Sequence, residues 1–230
     1  MRFATPFCDL RKRRVFDVVL GHSNAALGPY LSDLTGRSRV RIICMDLSES
    51  YRSIARTWFP QALIVADRFH VVRLALHRLM KTCRSIDDDL KGGRGLSRLL
   101  QKHAHNLTDR QANRLDDYLN HQPAIAGIYA FKEKLMAILT AKNRTKDQCR
   151  ILVHRLLDAI AELKQSGFED CRKLGRTLES WQEEIGRMWR FSRSNGITEG
   201  FHRQMKLIQR QAFGFRNFDN YRRRVRALCA

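Results

Sequence analysis

No apolar run in this chain approaches the ~18 residues of a membrane-spanning helix, so nothing in it spans a bilayer. The N-terminal residues also lack the long apolar segment of a signal peptide. No pair of cysteines is spaced as Cys-x-x-Cys. Cys8, Cys44, Cys83, Cys149, Cys171 and Cys229 are scattered, mostly through apolar patterns, which argues against a zinc site and for buried thiols in a reducing, cytosolic setting. Acidic residues are scarce: 23 stand against 43 lysines and arginines, a net charge of +20. So large an excess points to a polyanionic partner, either nucleic acid or an acidic membrane surface. At 230 residues the chain can bury a sizeable core as one or two domains.

What is present is concentrated first in residues 40–73. Val40, Ile42, Ile43, Cys44 and Met45 form a short, nearly continuous apolar run rich in β-branched residues, which reads as a buried strand. Asp46 stands at its end. Ser48 can cap a helix through Tyr51, Ile54, Ala55 and Trp58 that Pro60 closes. A second apolar run, Ala62 to Ala66, ends in Asp67, and Phe69 opens another helix. Each strand of this strand–helix–strand–helix unit is thus followed by a carboxylate, and ligand sites in α/β sheets favour such strand ends. Aspartates in these places also serve as plain turn or capping residues. Upstream, residues 2–10 and 15–21 read as a hairpin around the basic turn Arg11–Arg14. A weak helix from Ser23 to about Leu34 follows, with Gly28-Pro29 inside it.

From Phe69 onward the spacing is helical. Phe69, Val72, Leu76, Leu79, Cys83, Ile86 and Leu90 form a heptad-like seam on one long helix, which Gly92-Gly93 breaks. Asp87, Asp88 and Asp89 near its end read as solvated acids, because neighbours on a helix point different ways. Four further helices are expected. Capping boxes at Thr108–Gln111 and Thr145–Gln148 open two of them, and Pro123 suits the start of a third. The fourth carries the stripe Leu174, Leu178, Trp181, Ile185 and Met188. No strand is evident from 69 to 190, and His103, His105 and His121 are too scattered to suggest a metal site.

A third carboxylate, Glu199, lies in Ser-Asn-Gly-Ile-Thr-Glu-Gly at 194–200. On a helix starting there, Ile197, Phe201, Met205, Ile208 and Ala212 share one stripe, while Glu199, Arg203, Lys206 and Arg210 lie opposite. Phe213, Phe215 and Phe218 are then interleaved with Arg216 and Arg222–Arg224. Basic–aromatic segments bind nucleic acid through phosphate contacts and base stacking. Phe218, Tyr221, Val225 and Leu228 share a helical stripe, however, so the rings are expected in the core. Arg203, Lys206, Arg210, Arg216, Arg222 and Arg223 are the candidates for phosphate contact.

Three motifs occur in this order: MDLSESY with Asp46, FPQALIVADRFHVVR with Asp67 and His70, and SNGITEGFHRQMKLIQRQAFGFRNFDNYRRRV with Glu199. Together they resemble bacterial insertion-sequence transposases of the ISL-three family, which is similar to other DDE transposases. The resemblance implies a mostly helical α/β fold, a truncated ribonuclease-H-like mixed sheet interrupted by a large all-helical insertion. Residues 1–68 would be the N-terminal part of that core, 69–190 the insertion, and 191–230 the helices completing the core. It further implies metal-dependent DNA strand cleavage and transfer, with two Mg²⁺ (or Mn²⁺) ions held by Asp, Asp and Glu. By position, Asp46 would be the second of these carboxylates and Glu199 the third, with Asp67 and His70 of the Asp-Arg-Phe-His motif as accessory groups. Transposon ends and target DNA would be the partners, the intact protein a homo-oligomer, and its place the bacterial cytoplasm at the nucleoid. In the family pattern a central strand bearing the first Asp precedes the hairpin. Asp9 falls at the end of the second strand and Asp17 within the third, so neither takes its place. The chain is therefore expected to be the C-terminal part of a transposase, inactive alone. The rival expectation is a catalytically dead remnant acting only as a basic DNA-binding protein.

Overall fold

The computed structural model describes residues 4–92, 95–191 and 196–229, with residues 196–199 described by their backbone only. The elements in chain order are β1 (Ala4–Asp9), β2 (Arg14–Leu20), α1 (Asn24–Ser32), β3 (Ile42–Met45), α2 (Glu49–Trp58), β4 (Leu63–Ala66) and α3 (Arg68–Ile86). They continue with α4 (Leu96–Gln101), α5 (Asp109–His121), α6 (Pro123–Leu139), α7 (Lys146–Gln165), α8 (Glu169–Ser180), α9 (Gln182–Met188), α10 (Gly196–Gln211) and α11 (Phe218–Leu228). The fold is a mostly helical α/β one. It divides into two compact units, Met1–Ile64 with Arg193–Ala230, and Val65–Ser192. No helix among the described residues is long and apolar enough to cross a membrane.

The first unit is built around the antiparallel hairpin of β1 and β2. Its register pairs Ala4 with Leu20 and Phe7 with Asp17, then slips at a bulge between Phe7 and Cys8 so that Cys8 faces Val15. Without the bulge Cys8 would face Phe16. The slip turns Val15 onto the same side as Val18, and both are buried with Phe201, Met205 and Ile208 of α10 and Tyr221 and Val225 of α11. Phe7 and Val19, on the other side, pack with Leu27 and Leu31 of α1 and Ile54 of α2. Ser23 caps α1 through the backbone N–H of Ala26, and Pro29 lies within the helix without ending it.

The four strands were expected in one sheet. They form two sheets of two strands each, β1 with β2 and β3 with β4. A hairpin and a strand–helix–strand pair each close a ladder of their own. Among the described residues no strand pairs one sheet with the other.

In the second unit α3 packs against both α6 and α8, and α7 against α8. Much of the heptad seam expected along α3 is buried, with Leu79, Cys83 and Leu90 inside and Val72, Leu76 and Ile86 half-buried, and two helical neighbours widen the buried surface beyond it. Val71, Ala75, Leu79, Met80, Thr82 and Cys83 are buried, whereas Phe69 is 45% exposed. A single seam serves one partner, and a helix held on two sides buries a broader surface. The helix ends at Ile86 rather than running to Leu90, and Asp87 at its end accepts a hydrogen bond from the Tyr118 hydroxyl. Both capping boxes are formed, at Thr108 and at Thr145. Among the described residues of this unit six α-helices, α4 to α9, follow α3 instead of the expected four. The stripe from Leu174 to Met188 runs through a break at Trp181 (φ −111°, ψ 13°), whose side chain stays buried, so the apolar spacing hides the interruption. Beyond the end of β4, no strand occurs among the described residues of this unit.

Candidate functional site

Asp46 directly follows β3, and Asp67 directly follows β4, the strand paired with β3. Local chemistry dictates both positions. After Met45 the backbone turns, with the Ser48 N–H donating to the Asp46 carbonyl at 2.7 Å, and Ser48 Oγ then accepts from the Tyr51 N–H to cap α2. The Asp46 side chain is exposed. Asp67 is the N-cap of α3 and is buried. Its Oδ1 accepts from the Phe69 N–H at 2.8 Å, satisfying one of the unpaired donors of the first helical turn.

His70 sits on that same turn, its Nδ1 2.9 Å from Asp67 Oδ2. A carboxylate can only accept here, so Nδ1 carries the proton, and in the neutral imidazole Nε2 bears the lone pair. Metal-ligating and proton-handling histidines are oriented by carboxylates in this way. The Phe69 ring meets the His70 ring edge-on at a centroid distance of 5.5 Å. The capping reading of Asp67 is therefore correct as far as it goes, and the same carboxylate also orients an imidazole.

The intervening Arg68 is a residue that spacing arguments missed. Its guanidinium donates to the carbonyls of Ala141, at 2.8 Å, and Met188, at 2.6 Å, which close the ends of α6 and α9. No local sequence signal identifies carbonyls so far along the chain as partners. Arg68 anchors the turn that carries Asp67 and His70 to the rest of the helical unit.

Glu199 falls within α10, but its side chain lies outside the described residues, and so does the expected approach of Asp46 to Glu199. Further along α10 the two faces separate cleanly. Phe201, Met205 and Ile208 are buried, while Arg203, Lys206 and Arg210 are exposed. Arg216 and Arg223 are exposed as well. Arg222 is half-buried and holds Asp17 through two hydrogen bonds, so one of the candidate phosphate contacts is committed to an internal partner. The aromatic rings do not behave alike. Phe215 and Phe218 pack partly buried against the core of the first unit, with Arg224 over the Phe215 ring at 5.6 Å, and Leu228 is exposed where burial was expected. Phe213, also expected in the core, is fully exposed.

The two early acids have structural partners. Asp9 accepts from the backbone N–H groups of Arg11 and Lys12 in the basic hairpin turn, and the Lys12 N–H foremost holds its carboxyl below the usual range. Asp17 lies buried within β2. Burial pushes its carboxyl up, but hydrogen bonds from Arg222 and from the Val18 N–H outweigh this and leave it lowered.

Residues 1–225 match the model of a family described as "Transposase", DDE_Tnp_ISL3. Among characterised proteins, the chain is similar to the transposase for insertion sequence element IS1001 of Bordetella parapertussis. The two are 25% identical over 98% of this chain and 57% of that protein. It is also similar to the transposase for insertion sequence element IS1557 of Mycobacterium tuberculosis, at 22% identity over 94% of this chain and 54% of the relative. The chain therefore spans little more than half the length of these curated relatives. No solved structure matches.

Proposed function

Because the chain belongs to the ISL3 family of DDE-type transposases, we propose that it serves DNA transposition by metal-dependent phosphoryl transfer, with Asp46 and Glu199 as metal ligands and Asp67 and His70 as accessory groups. The observation that carries this at residue level is the pairing of β3 with β4, each followed at once by an aspartate. Residues 1–68 and 191–230 take the part of a ribonuclease-H-like core and residues 69–190 that of the helical insertion, a reading that the division into Met1–Ile64 with Arg193–Ala230 and Val65–Ser192 supports. The exposed cations of α10, together with Arg216 and Arg223, track the phosphate backbone.

The donor set suits hard divalent cations. Carboxylate oxygens are the ligands Mg²⁺ and Mn²⁺ prefer, and imidazole is an acceptable addition for Mn²⁺. When bound, two such ions supply charge stabilisation to the attacking and leaving oxygens of a phosphodiester. The residues divide the remaining work. Asp46 offers an exposed carboxylate. Both oxygens of Asp67 already accept protein hydrogen bonds, so its first task is to fix the opening turn of α3 and hold the His70 ring with Nε2 presented. Arg68 keeps that turn in place through the carbonyls it binds.

The test is Mn²⁺ binding to the 230-residue chain, followed by electron paramagnetic resonance. Asp46→Asn and Glu199→Gln should each weaken binding by roughly tenfold or more, the scale of perturbed metal sites. Unchanged Mn²⁺ affinity in both variants would remove the metal-dependent reading and leave a basic protein that only binds DNA.

A further inference from the structure

The turn between α10 and α11 contains a residue that is wrong for its place on two counts. After Gln211 the chain leaves the helix with the Phe213 N–H donating to the Arg210 carbonyl at 3.0 Å and the Gly214 N–H donating to the Gln209 carbonyl at 2.9 Å. That pair of bonds is the Schellman helix terminus, in which one residue adopts the left-handed conformation and glycine is strongly preferred there. Here Phe213 occupies that position, at φ 48°, and the glycine comes one residue later, at φ 94°. A bulky side chain at positive φ is a genuine outlier.

Packing does not compensate. The apolar contact that usually accompanies this motif joins the residue after the left-handed one to the third residue from the helix end. Those residues are Gly214 and Gln209, which cannot make it. The phenyl ring itself is fully exposed, at 102% of its reference area. Single exposed apolar residues are ordinary, but a strained one that buries nothing is not. Its neighbours in the sequence are cations. Exposed Arg210 and Arg216 stand on either side of it in the chain, on the same segment as exposed Arg203 and Lys206.

We propose that Phe213 is a base-stacking side chain. The surrounding cations hold the DNA backbone, and the Phe213 ring, projected by the strained turn, stacks on a base that has left the duplex stack or lies at a gap. This inference rests on the DNA-binding reading of the basic face and adds to it a residue that reads an unstacked base rather than phosphate. An aromatic face suits any base, so the contact carries no sequence preference. Arginine-flanked placement favours nucleic acid over an apolar pocket on a second protein, since such a pocket would leave the flanking charges without partners.

The experiment compares the 230-residue chain with Phe213→Ala, Phe213→Gly and Phe213→Trp on an intact duplex and on a gapped duplex of the same length carrying 2-aminopurine opposite the gap. The unmodified chain and Phe213→Trp should prefer the gapped duplex and quench the 2-aminopurine. Phe213→Ala and Phe213→Gly should lose roughly tenfold in affinity for the gapped duplex, with little change on the intact one, and should not quench. Folding is not a confounding factor, because Phe213→Gly relieves the strained position and should raise Tm by about 2–4 °C. Gapped-duplex affinity and quenching unchanged in Phe213→Ala would overturn the stacking role while leaving the basic face intact as a DNA surface. Loss of self-association in Phe213→Ala without loss of gapped-duplex binding would overturn it in favour of a protein contact. Absence of any DNA binding by the unmodified chain would overturn both this inference and the reading it rests on.

Discussion

Arg222 of α11 grips Asp17 of β2 side-on, Nε to Oδ1 at 2.7 Å and Nη2 to Oδ2 at 2.6 Å, across 205 positions of the chain. The fork geometry is the strong form of an ion pair, and it ties the last helix of the first unit to its first hairpin. The Val15 N–H, which donates to the Cys229 carbonyl at 2.7 Å, makes a second tie between the same two elements. Asp17 is buried, so removing Arg222 leaves a carboxylate without its counter-charge. Arg222 is itself about one-third exposed, which lowers the cost below that of a fully buried pair. Arg222→Met should destabilise the fold by about 2–3 kcal/mol in urea unfolding at neutral pH. Arg222→Met combined with Asp17→Leu should cost less than Arg222→Met alone, because the stranded charge is gone. The folded state holds the Asp17 carboxyl below its unfolded value, so the pair's contribution is complete above about pH 4 and is lost as pH falls through the lowered native value. The stability gap between the unmodified chain and Arg222→Met should therefore narrow in acid. An equal gap at both pH values would mean that Arg222 acts through packing alone.

Asp67 has a double role that two substitutions can separate. It caps α3 through the Phe69 N–H and holds His70 Nδ1. Asp67→Ala removes both functions and should cost about 1–2 kcal/mol of stability for the cap alone. Asp67→Asn keeps an acceptor oxygen for the helix but weakens the hold on the imidazole. It should speed solvent exchange of the His70 Nδ1 proton, followed by NMR, while costing less stability than alanine. An Nδ1 proton exchange rate identical in Asp67→Asn and the unmodified chain would show that the carboxylate does not hold the imidazole.

Whatever was local was legible in the sequence. Ser48, Thr108 and Thr145 cap the helices they precede, because capping is a matter of three or four adjacent residues. The runs ending at Asp46 and Asp67 are strands, because a short β-branched run flanked by turn residues has few alternatives, but β3 is not the buried strand expected: Ile42 is exposed and the rest half-buried. What escaped was non-local or hidden by continuity. The Phe7/Cys8 bulge shifts one residue of register and leaves no mark on composition. The Trp181 break keeps the apolar spacing of a continuous helix. The breadth of the surface that α3 buries beyond its seam is set by the helices around it, which its own sequence does not encode. Arg68 and Arg222 look like ordinary surface cations until the carbonyls and the carboxylate they bind arrive from elsewhere in the chain. At the candidate site, residue types and order are readable from the motifs, while the Asp67–His70 bond depends on how the folded turn sets the two side chains.

Lys132 tests how much the second unit depends on one buried cation. It is 3% exposed, and its ammonium donates to the carbonyls of Leu100 and Lys102 at the end of α4, pairs with Glu133 and lies over the Tyr129 ring at 4.1 Å. Burial lowers its pKa, and Glu133 only partly opposes this. Lys132→Met preserves the aliphatic stem but strands the helix-terminal carbonyls, at about 1–3 kcal/mol for unsatisfied buried acceptors. Thermal unfolding should show a lower Tm, and hydrogen exchange should show the α4 amides losing protection before those of α7. Uniform loss of protection across the unit would mean that Lys132 supports the whole core rather than the α4 terminus.

The salt dependence of DNA binding decides whether the basic face of α10 is the phosphate track. With a net charge of +20, binding should be tight at low salt and largely independent of sequence. Each phosphate neutralised contributes about 0.9 to the slope of log K against log salt, because condensed counterions are released. Exposed Arg203, Lys206 and Arg210 lie along one side of α10, opposite the buried Phe201, Met205 and Ile208, so their removal should not disturb the core. Changing all three to glutamine should lower affinity at physiological salt and reduce the slope by about 2–3. Arg223→Gln should reduce it by about 1. Arg222→Gln is the internal comparison: its guanidinium holds Asp17, so its effect should fall on stability first and leave the slope nearly as it was. A triple variant with unchanged slope in a filter-binding titration would place the DNA surface elsewhere, and the exposed turn residues Arg11, Lys12 and Arg13 of the β1–β2 hairpin would be the next to replace.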